Sequence, residues 1–283
     1  MAKFVPDVKT QRWIIVSPLR VQRPADVDKT KSPGVCPFCE GNEGATPPEI
    51  VRYGLGEKNK PGWKVRVIPN LYPFTDFHEV IIHSPSHDQN IENFKADQVI
   101  LLLKMYRSRF AAHMANGQVI IFHNQGEHAG ASLVHPHSQL VVIPKQINLD
   151  ALTKEPVMNI IQESAGFVAY CPDFSQWPYE IWIAPKKEET IFSEISDDEI
   201  NDLAVVFISV MKRLYGAYLD PVTQKIHGRL PFAYNYYIHH GKNWFIRIIP
   251  RFVHRAGFEL GTGLSVNVAD PLEAAEELRK IKV

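Results

Sequence analysis

The stretch from Val119 to Pro144, VIIFHNQGEHAGASLVHPHSQLVVIP, constrains the fold more than any other part of the chain. It divides into an apolar run, a polar loop that contains two glycines, and a second apolar run. Apolar runs rich in β-branched residues on both sides of such a loop predict two neighbouring β-strands. Because side chains alternate between the faces of a strand, His137 and Gln139 point the same way, with His135 close to that line.

This line of polar side chains is a costly way to fill a core. Leaving one ring nitrogen of a buried imidazole unpaired costs about 1–3 kcal/mol. Two histidines and an amide beside a small-residue loop therefore favour a functional site, with a nucleophile or a metal ligand among them. The alternative is a pair of structural histidines whose ring nitrogens are all satisfied.

Charge and hydropathy argue against several classes of partner. The chain has 31 Lys and Arg residues against 31 Asp and Glu residues, so no net field attracts nucleic acid or an anionic membrane. No apolar run approaches the roughly 18 residues of a membrane-spanning helix. The N-terminal residues lack the apolar core of a signal peptide. We therefore expect a soluble, cytoplasmic protein that has neither nucleic acid nor a membrane as a partner.

The segment Cys36-Pro37-Phe38-Cys39 is a C-x-x-C pair in a chain with three cysteines, which are too few for a disulfide framework. Such a pair is either a redox centre or half of a tetrahedral metal site. A redox pair usually opens a helix, whereas the residues that follow here, EGNEG, do not start one. A zinc knuckle is favoured, and it needs two further ligands, for which histidine is the natural type.

The order of the predicted elements repeats along the chain. Strand, turn, helix, strand, loop and a strand that ends in proline occur over 78–144 and again over 179–250. This order predicts a tandem repeat with halves over 1–150 and 151–283, although an ordinary mixed sheet would give a similar pattern. Asn243 precedes Pro250 by seven residues, as His137 precedes Pro144, so we expect the second half to lack the nucleophile.

The candidate zinc ligands are Cys36, Cys39, His87 and His135. A set of four protein ligands is closed and therefore structural, whereas a catalytic metal would need one of the four to be free. His137 then remains as a nucleophile. A neutral imidazole attacks phosphorus well when its other nitrogen donates to a fixed acceptor.

The glycine-containing loop is suited to an anion. Its backbone N–H groups, with the side chains of Asn124, Ser132 and Gln139, could bind the oxygens of a phosphate. The chain contains no G-x-x-x-x-G-K-[ST] motif, so P-loop chemistry is unsupported.

The segments RWIIVSPLRVQRP, CPFC, RVIPN, HEVIIHSPSH, NQGEHAGASLVHPHSQ, YNYYIHHG and AGFELGTG resemble the galactose-1-phosphate uridylyltransferases, a branch of the histidine-triad superfamily. The resemblance implies an α/β (α+β) fold: a duplicated histidine-triad-like unit with two mainly antiparallel sheets and flanking helices. It also implies ping-pong transfer of a nucleoside monophosphoryl group through a covalent nucleotidyl-histidine, and a homodimer.

The resemblance assigns roles to individual residues. His137 looks like the nucleophile, and Gln139 looks like the residue that holds the phosphoryl oxygens and favours transfer over hydrolysis. The four candidate ligands fall on the positions of one structural Zn²⁺ in the family. The residues that fall on positions contacting the nucleotide sugar are Arg20, Arg23, Asn70, Asn124, Ser132 and Gln139.

Departures from the family pattern leave the substrates open. Leu71 stands where an aspartate is expected near the ribose, and Val253 and Phe258 replace a lysine and a tyrosine near the sugar phosphate. The segment GFELGTG is closer to relatives that phosphorolyse ADP-glucose. The expected activity is that of a UDP-glucose:hexose-1-phosphate (galactose-1-phosphate) uridylyltransferase, and the alternative is an ADP- or UDP-glucose phosphorylase that uses inorganic phosphate. A zinc-stabilised nucleotide-binding module without catalysis is the alternative from another class.

Overall fold

The computed structural model describes residues 3–9, 12–22, 35–149 and 152–283. A small sheet pairs β1 (Lys3–Pro6) with β2 (Trp13–Val16). A ten-stranded antiparallel sheet consists of β3 (Val51–Gly54), β4 (Trp63–Pro69), β5 (His78–Ile82), β6 (Gln118–Gln125), β7 (His137–Ile143), β8 (Ile160–Glu163), β9 (Phe167–Tyr170), β10 (Ile181–Pro185), β11 (Tyr234–Ile238) and β12 (Ile246–Pro250). The α-helices are α1 (Ala96–His113), α2 (Asp197–Leu219), α3 (Pro221–His227), α4 (Gly257–Thr262) and α5 (Pro271–Lys280).

The two halves of the large sheet have the same topology. The strand order is β3-β4-β5-β7-β6-β11-β12-β10-β9-β8. Each half contributes five strands. If these are numbered in chain order within their half, both halves have the order first, second, third, fifth, fourth from the outer edge of the sheet to its centre. Helix α1 follows the third strand of the first half, and α2 follows the third strand of the second half. A tandem repeat would produce this arrangement, while the boundary near residue 150 stays a prediction.

The predicted α/β (α+β) fold class, with mainly antiparallel sheets and flanking helices, is confirmed. The pattern did not predict that both halves contribute to one continuous sheet. Strands β6 and β11 pair at its centre, where Asn124 lies opposite Asn235 and His123 lies opposite Tyr236. Pairing these strands removes an exposed edge from each half, and an exposed edge leaves backbone hydrogen-bonding groups unpaired.

The two faces of the large sheet have different environments. Ile81 and Leu140 lie on the face that packs against α1 and α2, in the main hydrophobic core. Val80 lies on the opposite face, in a small separate cluster. Because side chains alternate along β7, His137 and Gln139 also lie on this opposite face, away from the helices.

Helix α2 starts at a capping box, which explains where this part of the sequence becomes helical. The hydroxyl of Ser196 accepts a hydrogen bond from the N–H of Glu199 at 3.1 Å, and the Glu199 carboxylate accepts the N–H of Ser196 at 2.7 Å. This reciprocal pair satisfies two of the backbone donors that a helix start leaves open. Within the described residues, no helix is both long and apolar enough to cross a bilayer. The cytoplasmic location stays a prediction.

In the second half, the face away from the helices is filled. The rings of Trp182 and Phe245 are stacked there with centroids 4.1 Å apart. Arg247 forms two hydrogen bonds with the Glu180 carboxylate, at 2.7 and 3.0 Å. Asn243 precedes β12 rather than lying in it, and its side-chain oxygen accepts the N–H of Glu189 at 2.7 Å. Asn243 therefore stabilises a turn.

The loop after β6 packs closely against the second half. Gly126 has φ 82° and ψ 161°, a backbone conformation that is essentially restricted to glycine. A Cβ atom at this position would lie 2.9 Å from Ala233 Cβ and 3.1 Å from the carbonyl oxygen of Phe232. Gly130, at the other end of the same loop, has φ 79° and open space around its Cβ position.

These two glycines provide a matched test of the contact between the loop and the second half. We expect Gly130→Ala to lower the free energy of unfolding by about 1–2 kcal/mol, the usual cost of a left-handed conformation for a residue with a Cβ atom. Gly126→Ala should cost roughly 1–2 kcal/mol more, because its backbone conformation is essentially restricted to glycine and because the added Cβ collides with Ala233. Urea unfolding measures both values. Equal losses would contradict the close approach.

Candidate active site

A cavity of about 350 Å³ opens on the face of the sheet away from the helices. Four of the residues that the sequence singled out line it, namely Asn70, Ser132, His137 and Gln139. The rest of its wall is largely apolar and includes Phe38, Ile68, Val80 and Leu133. A concave apolar wall with a few convergent polar groups is the usual form of a small-molecule site.

His137 is held in one tautomer by the backbone just before β7. Its Nδ1 atom lies 2.8 Å from the carbonyl oxygen of His135. A carbonyl oxygen only accepts, so Nδ1 carries the proton and the lone pair of the neutral ring is on Nε2. The ring is 7% exposed and lies edge-on to Phe38, with centroids 5.2 Å apart. A neutral imidazole with its Nδ1–H held in this way can act as a nucleophile through Nε2.

Gln139 lies two residues further along β7, on the same face as His137. Its side-chain oxygen accepts a hydrogen bond from the Asn70 amide at 3.3 Å and lies 2.9 Å from His78 Nε2. The Asn70 side-chain oxygen in turn accepts the N–H of Tyr72 at 2.8 Å. Sequence reasoning missed His78, because a lone histidine that starts a strand gives no signal of its partners.

The four candidate metal ligands come together at the base of this site. Cys36 Sγ lies 3.8 Å from His135 Nδ1. Cys39 Sγ lies 3.6 Å from the same nitrogen and 3.3 Å from His87 Nδ1. All four ligand atoms lie within 4.8 Å of one another. In a tetrahedral zinc site, with Zn–S near 2.3 Å and Zn–N near 2.0–2.1 Å, neighbouring S and N atoms are about 3.6 Å apart.

The surroundings of His135 also fit a metal ligand. Its Nε2–H donates to the carbonyl oxygen of Ser84 at 2.8 Å, which leaves the lone pair of Nδ1 directed at the two sulfur atoms. Burial lowers the pKa of His135 to about 4, so the ring is neutral, as ligation requires. The cluster is therefore a possible Cys₂His₂ metal-binding group.

A buried polar network supports β7 from the other face of the sheet. His123 Nδ1–H donates to the carbonyl oxygen of His137 at 2.8 Å, and burial lowers the pKa of His123 to about 3, so its ring is neutral. The hydroxyl of Ser138 lies 2.7 Å from His83 Nε2 and 2.5 Å from the Tyr106 hydroxyl. Tyr106 also contacts the hydroxyl of Tyr236 at 2.7 Å. Because Tyr236 belongs to β11, the second half of the chain helps to fix the strand that carries His137.

Asn124 lies on the same sheet face as Gln139 but outside the wall of the cavity. Its side-chain oxygen accepts a hydrogen bond from the Asn235 amide at 2.8 Å, and that amide also donates to the carbonyl oxygen of Ala129 at 2.8 Å. Asn235 therefore fixes both Asn124 and the loop after β6. Sequence reasoning missed this contribution from the second half.

Of the two arginines that the resemblance assigns to the nucleotide sugar, Arg20 lies within the described residues. Arg20 lies in a short 3-10 helix (Pro18–Gln22), with its guanidinium 4.7 Å from the centre of the Phe74 ring and 3.4 Å from the carbonyl oxygen of Tyr72. Partial burial lowers the pKa of Arg20. Since Tyr72 lines the cavity, Arg20 is next to the site. Arg23 lies outside the described residues.

The sequence of this chain is similar to those of known proteins. The family model for the N-terminal domain of galactose-1-phosphate uridyl transferase matches residues 77–143. ADP-glucose phosphorylase from Arabidopsis thaliana is 30% identical to this chain, over 98% of the chain and 92% of that protein. Galactose-1-phosphate uridylyltransferase from Thermotoga maritima is 26% identical, over 97% of the chain and 96% of that protein.

Solved structures show the same similarity. The crystal structure of the Arabidopsis thaliana ADP-glucose phosphorylase with bound ADP-glucose has a TM-score of 0.74 at 27% identity, and the match covers 100% of both chains. A uridylyltransferase structure also has a TM-score of 0.74, at 21% identity, which shows that the fold is shared.

Proposed function

The chain belongs to the galactose-1-phosphate uridylyltransferase family and is a nucleotidyltransferase, and we propose that it works through a covalent nucleotidyl-histidine formed on His137. The observation that carries this proposal is the hydrogen bond from His137 Nδ1–H to the carbonyl oxygen of His135, which leaves the Nε2 lone pair as the nucleophile in a small-molecule cavity. The substrate is a nucleotide sugar.

The reaction has two balanced steps. First, His137 Nε2 attacks the α-phosphorus, the bond from that phosphorus to the bridging oxygen breaks, and hexose 1-phosphate leaves with the electron pair. The ring becomes a cation, which the carbonyl oxygen of His135 stabilises through Nδ1–H. Second, an oxygen of a phosphate-bearing acceptor attacks the same phosphorus, and the electron pair of the N–P bond returns to Nε2. Gln139, Asn70 and Ser132 would bind the nucleotide and its phosphoryl oxygens.

Two acceptors fit this chemistry. Inorganic phosphate would make the enzyme an ADP- or UDP-glucose phosphorylase, which is supported by 30% identity to an ADP-glucose phosphorylase and by Leu71 at the cavity. Hexose 1-phosphate would make it a UDP-glucose:galactose-1-phosphate uridylyltransferase, which is supported by the match to the Thermotoga maritima enzyme over 97% of the chain. The acceptors are distinguished by their products, a nucleoside diphosphate in the first case and a new nucleotide sugar in the second.

Covalent labelling tests the nucleotidyl-histidine directly. We expect the enzyme, mixed with ADP-glucose or UDP-glucose radiolabelled at the α-phosphate and no acceptor, to retain label from one of them after denaturation. His137→Ala should retain none, whereas His128→Ala, a change in a histidine outside the cavity, should be labelled normally. Adding phosphate or galactose 1-phosphate to labelled enzyme then identifies the acceptor. An unlabelled enzyme that turns over substrate would contradict the mechanism.

The proposal includes one structural Zn²⁺ held by Cys36, Cys39, His87 and His135. Bound there, zinc would link the C-x-x-C turn to the start of β7. Its donor set, two sulfur atoms and two imidazole nitrogens with no position for water, is that of a structural site.

Metal removal tests this role. Chelation should lower the unfolding temperature in parallel with activity, and added Zn²⁺ should restore both, because a closed site acts through the fold. Metal analysis should find one zinc per chain in the wild type and little in Cys39→Ser. Cys171→Ser alters a cysteine away from the cluster and should keep the zinc. A metal-free protein that unfolds at the normal temperature but is inactive would show that the metal is catalytic.

A homodimer is the last part of the proposal. Large apolar side chains are exposed in two segments, at Trp13, Ile14 and Val16 of β2 and at Phe258 and Leu260 of α4. Exposed apolar patches of this kind favour association. Light scattering should give twice the chain mass of 32.2 kDa, and the double variant Ile14→Lys with Leu260→Lys should shift toward the single-chain mass. A wild-type protein that is monomeric at micromolar concentration would refute the dimer.

A further inference from the structure

His78 lies at the start of β5 and is 5% exposed, on the same sheet face as Gln139. Strand β5 pairs with β7 so that Val80 is directly opposite Gln139, which makes His78 a diagonal neighbour of Gln139. His78 Nε2 lies 2.9 Å from the Gln139 side-chain oxygen. The His78 ring also lies edge-on to Phe74, with centroids 4.5 Å apart. The ring is therefore fixed in place by packing as well as by its polar contacts.

A backbone amide decides which atom donates in the contact between His78 and Gln139. The N–H of Phe74 donates to His78 Nδ1 at 3.3 Å. Since Nδ1 accepts, the proton of the neutral ring is on Nε2, and Nε2–H donates to Gln139. The amide group of Gln139 must then turn its oxygen toward His78. Asn70 reinforces this orientation, because its own oxygen is held by the N–H of Tyr72 and its NH₂ group donates to the same Gln139 oxygen. The Asn70 NH₂ nitrogen also lies 3.0 Å from His78 Nε2, and since Nε2 carries a proton, both groups direct a hydrogen at the Gln139 oxygen rather than at each other.

Fixing the oxygen of the Gln139 side chain also fixes the direction of its NH₂ group. With its oxygen held by two donors, Gln139 has its NH₂ group available for the cavity that it lines. A phosphoryl group presents only acceptor oxygens, so an NH₂ group binds it and a carbonyl oxygen repels it. A side-chain amide that is free to rotate about its last bond would present the wrong atom for part of the time.

We propose that His78 is a positioning residue for nucleotidyl transfer: it holds the Gln139 amide in the orientation that directs its NH₂ group at the phosphoryl oxygens. This inference rests on the proposed function, in which Gln139 binds the phosphoryl group. The backbone N–H groups of Phe74 and Tyr72 can only donate. They therefore fix which atoms of His78 and Asn70 accept, and so which atoms of these two side chains donate to Gln139.

The test is a double-mutant cycle on the first step of the reaction, measured as the rate of covalent labelling of the enzyme by the α-phosphate-labelled nucleotide sugar. His78→Leu should slow labelling about 10- to 100-fold at saturating substrate, with a smaller change in KM, because the donor matters most as charge develops in the transition state. Gln139→Ala should slow it at least as much. In the Gln139→Ala background, His78→Leu should change the rate less than about threefold, since there is no amide left to orient.

A conservative variant separates positioning from packing. His78→Gln keeps a donor NH₂ near the place of His78 Nε2, so labelling should recover to within about fivefold of the wild type. If His78→Leu does not fold, His78→Asn serves instead, because its amide is polar but too short to reach Gln139.

The outcomes separate this inference from the function on which it rests. A wild-type enzyme that is never labelled would overturn the proposed function itself. A wild-type enzyme that is labelled, together with a His78→Leu variant that is labelled at the normal rate, would overturn only the role of His78. Losses that multiply in the double variant would do the same, because they would mean that His78 acts independently of Gln139.

Discussion

The hydrogen bond from His137 Nδ1–H to the carbonyl oxygen of His135 is the interaction on which the rest of the site depends. It joins His137, the first residue of β7, to a residue two positions before the strand, so the proposed nucleophile takes its tautomer from the backbone. His135 contributes twice, since its carbonyl oxygen fixes His137 while its ring points at Cys36 and Cys39. A metal bound by that ring would hold the backbone on which the orientation of His137 depends.

The sheet makes this arrangement rigid because both of its faces are used. On the face toward the helices, His123 holds the carbonyl oxygen of His137, and Tyr106 and Tyr236 surround the Ser138 hydroxyl. On the open face, His137 and Gln139 line the cavity. Alternation along one strand thus separates the supporting contacts from the side chains that line the cavity, and each face can be packed without disturbing the other.

The second half has the same topology, but its open face is built from different side chains. Its open face is closed by the stacked rings of Trp182 and Phe245 and by the buried ion pair of Arg247 with Glu180. A buried pair of this kind contributes little net stability, but it satisfies both charges. The second half acts instead through its central strand β11, which supplies Tyr236 behind the site and Asn235 beside the loop.

The sequence by itself determined the strand–loop–strand unit and the shared face of His137 and Gln139, and it predicted the two histidines that lie beside the C-x-x-C turn. These follow from short-range rules, the twofold alternation of a strand and the chemistry of a tetrahedral metal site. Only the tertiary structure decided that His78 is the partner of Gln139, that Asn124 lies outside the cavity wall and that ten strands form one sheet. Those facts depend on the register between strands that are far apart in the chain. Side-chain packing and backbone pairing together set this register, and local periodicity does not encode it.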